Sequence, residues 1–367
     1  MTIHSLKKIP SLETNQAIKI GWNAPANIAL VKYWGKHGKQ LPDNASLSIT
    51  LDQTSTTTFL TLQEKSRASE GISLEYNFHG EKQEKFEHKT AEFLASLLPE
   101  MPFLGDYRLV FDSTNNFPHS AGIASSASSM AALALCLVSM EELVSGKAAS
   151  QAAFFRRASY LARLGSGSAS RSIYGGLVSW GNSPFLSQST NEFATRFPLH
   201  EGSRLNSIRD IILVISSSEK KISSREGHQL MKAHPYREGR KIQATNNLKA
   251  LTAAIRSDNY QGIAAISENE ALSLHALLIS SQTDGILLQP ETLHLIREIR
   301  QFRQSSGLDL FFTIDAGPNV HLIHYEDQRE QVLSFVRDKL QPYCDKGLYL
   351  DDKIGEGPKL VTDQFVE

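Results

Sequence analysis

The stretch Ser125–Val138 (SSASSMAALALCLV) carries no charge and is built largely from small side chains. A helix of this kind packs closely on several sides at once, so it predicts an interior element with strands and other helices against it. The neighbouring sequence supplies those partners. Ile72, Leu74, Tyr76 and Phe78 alternate with polar or small residues, as do Tyr107, Leu109 and Phe111, the period-two pattern of half-buried strands. Ser46–Leu51 and the Thr-rich stretch Thr56–Leu62 suggest a further strand pair. Phe86, Phe93, Leu94 and Leu97 form a helical stripe closed by Pro99. Gln151–Leu164 predicts another helix, with Gly165 as its C-terminal stop. In the second half, Ile211–Ile215 reads as a buried strand, and helical patterns run from Arg225 to about Ser280 and over Glu291–Gln304. Strand patterns return at Leu308–Ile314 and Val320–Tyr325. The class is α+β or mixed α/β, in two halves (residues 1–200 and 201–367) facing one another across a cleft.

Charge narrows the range of partners. The 38 Lys+Arg against 39 Asp+Glu leave a formal net charge of -1 over 367 residues. Such balance argues against a general nucleic-acid or membrane-surface binder, so an anionic substrate must be held by a few converging cations. Cys136 and Cys344 have no CxxC partner, which disfavours a disulfide framework or a cysteine zinc site and fits a reducing compartment. The start lacks the apolar run of a signal peptide, and no stretch approaches the roughly 20 apolar residues of a membrane span. The expectation is a cytoplasmic protein.

Four strings carry chemistry. Asn116–Ala127 (NFPHSAGIASSA) follows a strand and opens a helix, where free backbone N–H groups and the positive dipole end receive anions. Gly122 permits close approach and Ser125 and Ser126 add hydroxyls, though a Ser-capped helix after a Gly turn has the same composition. Ala24–Lys36 (APANIALVKYWGK) runs from an apolar strand into a loop where Lys32, Tyr33 and Lys36 can converge on a polyanion, or where the lysines are simply solvated. Gly165–Gly176 (GSGSASRSIYGG) reads as a flexible polar turn with short hydroxyl donors. Its Arg171 is a planar fork suited to a carboxylate, or a partner for a structural acid. Phe311–Val320 (FFTIDAGPNV) puts Asp315 at the end of an apolar strand, positioned for chemistry or for organising its own turn.

The first string is similar to the phosphate-binding motif of the GHMP small-molecule kinase superfamily, with His119-Ser120 where members often have Thr-Ala. The second closely resembles the N-terminal signature of diphosphomevalonate decarboxylases, Asn-Ile-Ala-x-x-Lys-Tyr-Trp-Gly-Lys, and Leu41–Ser48 fits that family's next segment. The third and fourth match the same family in the same order. The resemblance implies a GHMP kinase fold, with an N-terminal lobe like ribosomal protein S5 domain 2 and a ferredoxin-like C-terminal lobe flanking a deep cleft. It implies ATP and Mg²⁺ as cofactors, mevalonate 5-diphosphate as substrate, a homodimer, and no nucleic-acid or membrane partner.

Carried over residue by residue, the resemblance makes Asp315 the catalytic acid, places Lys32 near the reacting centre and has Arg171 orient the substrate carboxylate. Tyr33, Lys36, Ser166, Ser168, Ser224 and Arg225 contact the substrate, while Asn27, Gly122, Ala124, Ser125 and Ser126 face the nucleotide. Beyond Leu274-His275-Ala276 the chain departs from the family's Pro-Pro segment and reads Ser281-Gln282-Thr283-Asp284-Gly285. His275 is expected to be a packed or capping residue, not a catalyst. The alternatives are an enzyme taking mevalonate 5-phosphate, a mevalonate-type kinase that stops after phosphorylation, and a catalytically silent homologue.

Overall fold

The computed structural model describes residues 17–65, 71–118, 125–218, 224–281 and 285–361, the side chains of Ser224 and Arg225 excepted. In chain order the first lobe runs β1 (Ile18–Val31), β2 (Lys36–His37), β3 (Leu41–Pro42), β4 (Ser46–Glu64), β5 (Ser73–Phe78), β6 (Glu81–Lys82), α1 (Glu84–Leu97) and β7 (Tyr107–Asn115). It continues through α2 (Ser125–Ser145), α3 (Gln151–Gly165), a 3-10 segment (Gly167–Ile173), β8 (Leu177–Trp180) and β9 (Thr195–Phe197). The second lobe comprises β10 (Ile208–Leu213), α4 (Ser224–Leu230), α5 (Arg237–Arg256), α6 (Tyr260–Ile279), α7 (Pro290–Ser306), β11 (Phe311–Ile314), β12 (Val320–Tyr325), α8 (Arg329–Phe335) and β13 (Tyr349–Lys353). A last strand, β14 (Lys359–Val361), returns to the first lobe and pairs with Gly21–Asn23 of β1.

The first sheet has the order β14-β1-β4-β7-β5-β6, with β8 and β9 branching from β4; the second has the order β11-β12-β10-β13. Helix α2 is apolar all round because it is covered all round. It lies on β1 and β4 and against α3, with Ala127, Ala131, Ala132, Ala134 and Leu135 fully buried. Small side chains let the sheet come close: Trp22 Nε1 donates to Ser139 Oγ at 2.9 Å, and Cys136 Sγ lies 3.2 Å from the Thr58 carbonyl. The sequence reading found no membrane-length segment, yet α2 runs on to Ser145 and is long and apolar enough to cross a bilayer; two-thirds of it is buried inside the protein, the mark of a core helix.

Three readings are corrected. Ser46–Leu51 and Thr56–Leu62 are not a strand pair but parts of the single strand β4. The intervening backbone bends instead of turning back, because the Asp352 carboxylate accepts the N–H groups of Asp52, Gln53 and Thr54 at 3.1, 2.9 and 2.7 Å. Gly165 does end α3, but for a packing reason in place of the turn-forming one expected. It is the last helical residue of α3, and a Cβ there would lie 2.3 Å from Met130 Sδ, so glycine serves close packing of α3 on α2. Gly167–Ile173 is a buried 3-10 segment rather than a flexible turn.

The lobes share one core. Register shifts between Pro25 and Asn27 and between Ala29 and Val31 bend β1, so its first half covers the helices and its second half reaches the second lobe. There Ile28, Leu30, Leu47 and Ile49 pack with Leu248 and Leu251 of α5 and with Phe311, Ile323 and Tyr325 of the second sheet. The end of β1 and the end of β11 are thereby brought to the same place.

Candidate active site

A cavity of about 640 Å³ opens where these strand ends meet, lined by Lys32, Tyr33, Lys36, Ser166, Ser168, Arg171 and Asp315 among others. Lys32 follows β1 directly, and its backbone is held from both sides. Its N–H donates to Glu270 Oε2 (2.9 Å), while its carbonyl accepts from Asn44 Nδ2 and Arg240 Nη2 (2.9 Å each). Glu270 is wholly buried. Arg240 grips both its oxygens at 2.7 and 2.6 Å, and Asn247 Nδ2 donates to Oε1 at 2.6 Å. With its backbone fixed, Lys32 carries a buried ammonium that has no hydrogen-bond partner among the described residues. Burial pulls its pKa down to about 8; Asp315 and Glu270 oppose the shift and Arg171 adds to it.

That pKa has a stability consequence. The folded value lies below the ordinary 10.5, so between the two the unfolded chain binds more protons and stability rises with pH; below about 8 the unfavourable burial of the charge is fully present. Lys32→Met is therefore expected to raise the unfolding free energy of the unliganded protein at pH 7 by about 3 kcal/mol while removing turnover. Urea titrations of both proteins at pH 7 measure this, and coincident midpoints would contradict a buried ammonium.

Arg171 sits on the buried 3-10 segment. Nε donates to Asn27 Oδ1 (3.2 Å) and Nη1 to Ser46 Oγ (2.7 Å), and the guanidinium lies 5.6 Å from the centroid of the Tyr33 ring. Both hydrogen-bond partners are neutral, and no carboxylate among the described residues makes an ion pair with it; the structural-acid alternative is thus set aside. Burial lowers its pKa, and Tyr33 and Asp315 act in the opposite sense. Asn27, expected against the nucleotide, lines the same cavity and also braces its wall. It donates to the Ser168 carbonyl (3.2 Å) and to Ser172 Oγ (2.8 Å) while accepting from Arg171, so it fixes the guanidinium.

Asp315 follows β11 and is half-buried. Its carbonyl accepts from His275 Nε2 at 3.0 Å, which makes His275 the packed support expected of it. Asp315 also bears on the ionisation of Lys32, Tyr33, Arg171 and His228, so these groups share one electrostatic environment. Tyr33 stands edge-on to Trp180 (4.9 Å between centroids), and burial pushes its hydroxyl up to about 12. Lys36 Nζ donates to Gln40 Oε1 at 2.7 Å on the rim. Ser166 and Ser168 have their hydroxyls 3.5 Å apart.

Ser125 and Ser126 line the cavity at the start of α2, beside an arm made by Tyr76, Phe78, Phe86 and Phe93 with Lys85 and Lys89. Gly122, Ala124 and His119-Ser120 lie outside the described residues, as do Gln282–Asp284 of the departing segment. Ser224 and Arg225 begin α4, but their side chains lie outside the description. The sequence reading missed Arg240 and Glu270. Both fall on buried helical stripes, Arg240 four residues before Ala244 and Glu270 between Ser267 and Leu274, a periodicity that marks them as interior.

Comparison with known proteins agrees with this geometry. A family model for the diphosphomevalonate decarboxylase-like N-terminal domain matches residues 24–191, and one for the mevalonate 5-diphosphate decarboxylase C-terminal domain matches residues 210–360. The chain is 30% identical to the diphosphomevalonate decarboxylase of Candida albicans, over 85% of this chain and 86% of that protein. Its fold is similar to the solved complex of MDDEF with MVAPP, AMPPCP and magnesium (TM-score 0.79, 29% identity), covering 95% of this chain and 100% of that one. It is equally similar to the mevalonate diphosphate decarboxylase from Staphylococcus aureus (TM-score 0.79, 27% identity), covering 94% and 98% of the respective chains. The GHMP kinase fold implied by the four strings is the fold observed. With a match along both lobes and the same strings gathered at one cavity, the chain belongs to the diphosphomevalonate decarboxylase family.

Proposed function

We propose that the chain catalyses the ATP-dependent decarboxylation of mevalonate 5-diphosphate, giving isopentenyl diphosphate, ADP, phosphate and CO2. The observation that carries this reading is Arg171, a buried guanidinium held by neutral groups in the cavity that also contains Asp315 and Lys32. Phosphoryl transfer by itself requires no separate grip on a carboxylate. An elimination that releases CO2 does.

The residues divide the work. The Asp315 carboxylate accepts the proton of the substrate's tertiary hydroxyl, which needs a contact of roughly 2.6–3.2 Å. The hydroxyl oxygen then takes the terminal phosphoryl group of ATP, and ADP is released. Lys32, protonated below its pKa of about 8, and the start of α2 at Ser125 and Ser126 offset the charge on that group. As phosphate departs with the C–O bonding pair, positive charge grows on the tertiary carbon, and Asp315, its proton passed on, stabilises it. Arg171 holds the carboxylate so that its C–C bond aligns with the emptying orbital. That bonding pair forms the new double bond and CO2 leaves.

Tyr33 and Lys36 hold the diphosphate arm, Ser224 and Arg225 join them by family resemblance, and Ser166 and Ser168 contact the substrate. The aromatic arm of Tyr76, Phe78, Phe86 and Phe93 suits a nucleotide base, with Lys85 and Lys89 for phosphates. Among the described residues, no group of three or more His, Cys, Asp or Glu is placed to hold a metal ion. A magnesium ion brought in with the nucleotide would find protein oxygens at Asp315 and Ser125, which both line the cavity. Such an ion supplies charge neutralisation. The same reading extends to a cytoplasmic homodimer that engages neither nucleic acid nor membrane.

Incubation with ATP and, separately, mevalonate, its 5-phosphate and its 5-diphosphate tests the proposal by following ADP and CO2 together. Equal amounts of both are expected with the 5-diphosphate alone. ADP without CO2 would make the protein a kinase, both products from the 5-phosphate would move the specificity, and neither product would make it a silent homologue.

A further inference from the structure

His228 on α4 faces the same cavity and has no part in the steps above. Its ring stacks on Tyr33 (4.5 Å between centroids, 23° between planes) and tilts against Trp34 (4.7 Å). The preceding residue permits this approach, since a Cβ on Gly227 would lie 2.6 Å from the Trp34 ring. Nδ1 accepts the backbone N–H of Gly35 at 3.1 Å. A ring nitrogen that accepts a hydrogen bond carries a lone pair, so the neutral imidazole has its proton on Nε2. Nε2 makes no hydrogen bond to any described residue, and the ring forms part of the cavity wall near Lys36. Burial, reinforced by Lys36 and Arg171 and opposed by Asp315 and Asp43, holds the ring well below its ordinary pKa, at about 3. The donor is therefore uncharged at any working pH.

We propose that His228 is a substrate-binding residue, a neutral Nε2–H donor that joins Lys36 and Tyr33 in taking an oxygen of the substrate's diphosphate arm. The identity of that arm rests on the function proposed above; the donor and its fixed tautomer do not. A neutral donor adds a directed contact without raising the local positive charge, so it selects for oxygen position where the lysine selects for charge.

Inorganic diphosphate is the probe, because its binding is read without turnover. In the full chain labelled with ¹⁵N-histidine, His228 is expected to give the Nε2–H pattern from pH 7 down to pH 5.5, and added diphosphate is expected to move its Nε2 signal. A Nδ1–H or doubly protonated ring, or an Nε2 signal that ignores diphosphate, overturns the proposal. Two variants separate binding from mere support of Gly35. A Gln amide reaches toward the place of Nε2, whereas an Asn amide reaches only that of Nδ1. His228→Asn is expected to raise the Kd for diphosphate and the KM for mevalonate 5-diphosphate about tenfold with kcat within about threefold, and His228→Gln to stay within about threefold on all three. The reverse ranking, or equal weakening in both, overturns the assignment. A wild-type protein that binds diphosphate through His228 but does not turn over mevalonate 5-diphosphate would sink the functional reading and leave this one standing.

Discussion

Asp315→Asn is expected to lower kcat by about 10³-fold while leaving the fold and ATP binding intact. The change is nearly isosteric. It leaves the Asp315 carbonyl, which His275 holds, untouched, so the end of β11 keeps its place. What is lost is a proton acceptor for the tertiary hydroxyl and a negative charge facing the carbon from which phosphate departs. A second effect follows from the neighbours. Asp315 is the largest influence raising the pKa of Lys32 against burial, so its neutralisation moves that pKa further below about 8. The ammonium is then lost nearer neutral pH, and the residual activity of the variant should fall off on the alkaline side earlier than that of the wild type. Rates of CO2 release from pH 6 to pH 9, with ATP affinity measured in parallel, test both parts. Activity within tenfold of wild type would remove Asp315 from its role.

Arg240→Ala is expected to cost about 3–5 kcal/mol of stability, although Arg240 is outside the group that handles substrate. The pair it forms with Glu270 is almost wholly inaccessible, 1% and 0% exposed at the two side chains. Removing the guanidinium leaves a carboxylate in the core with Asn247 and one backbone N–H for company, and takes a donor from the Lys32 carbonyl. The loss should therefore appear twice, as a lower urea midpoint and as a fall in kcat larger than any change in ATP affinity. Replacing both partners together, as Arg240→Met with Glu270→Leu, should recover much of the stability because no charge is stranded. It should not recover kcat, since the Lys32 backbone is then held by Asn44 alone. A double variant no more stable than Arg240→Ala would show that burial of the unpaired carboxylate is not the source of the loss.

These expectations also mark what could be read in the residues beforehand. The strings that carry Lys32, Arg171 and Asp315 are legible because each combines an apolar strand or helix with an abrupt polar or glycine-bearing end. Resemblance supplied their roles. Their joint placement at one cavity required the bend in β1 and the shared core, which no local pattern announces. Periodicity marks Arg240 and Glu270 as interior, but their contacts with Lys32, like those of His228 with Gly35 and Tyr33, join residues some two hundred positions apart and leave no local trace. The β4 misreading has the same origin. Asp52-Gln53-Thr54 resembles a turn until the carboxylate that satisfies its backbone arrives from Asp352, some three hundred residues away. Strands β13 and β14 are short (YLDDK and KLV) and lack the alternation by which the earlier strands announce themselves.

The return of β14 to the first sheet sets an order on biogenesis. Strand β1 is made well over three hundred residues before its edge at Gly21–Asn23 can be completed by Lys359–Val361. Until that strand arrives, the nascent first lobe therefore presents an open strand margin, a template for unwanted pairing. Closure waits for Lys359–Val361, so the yield of native protein should be most sensitive to chaperone supply while that strand is still unpaired.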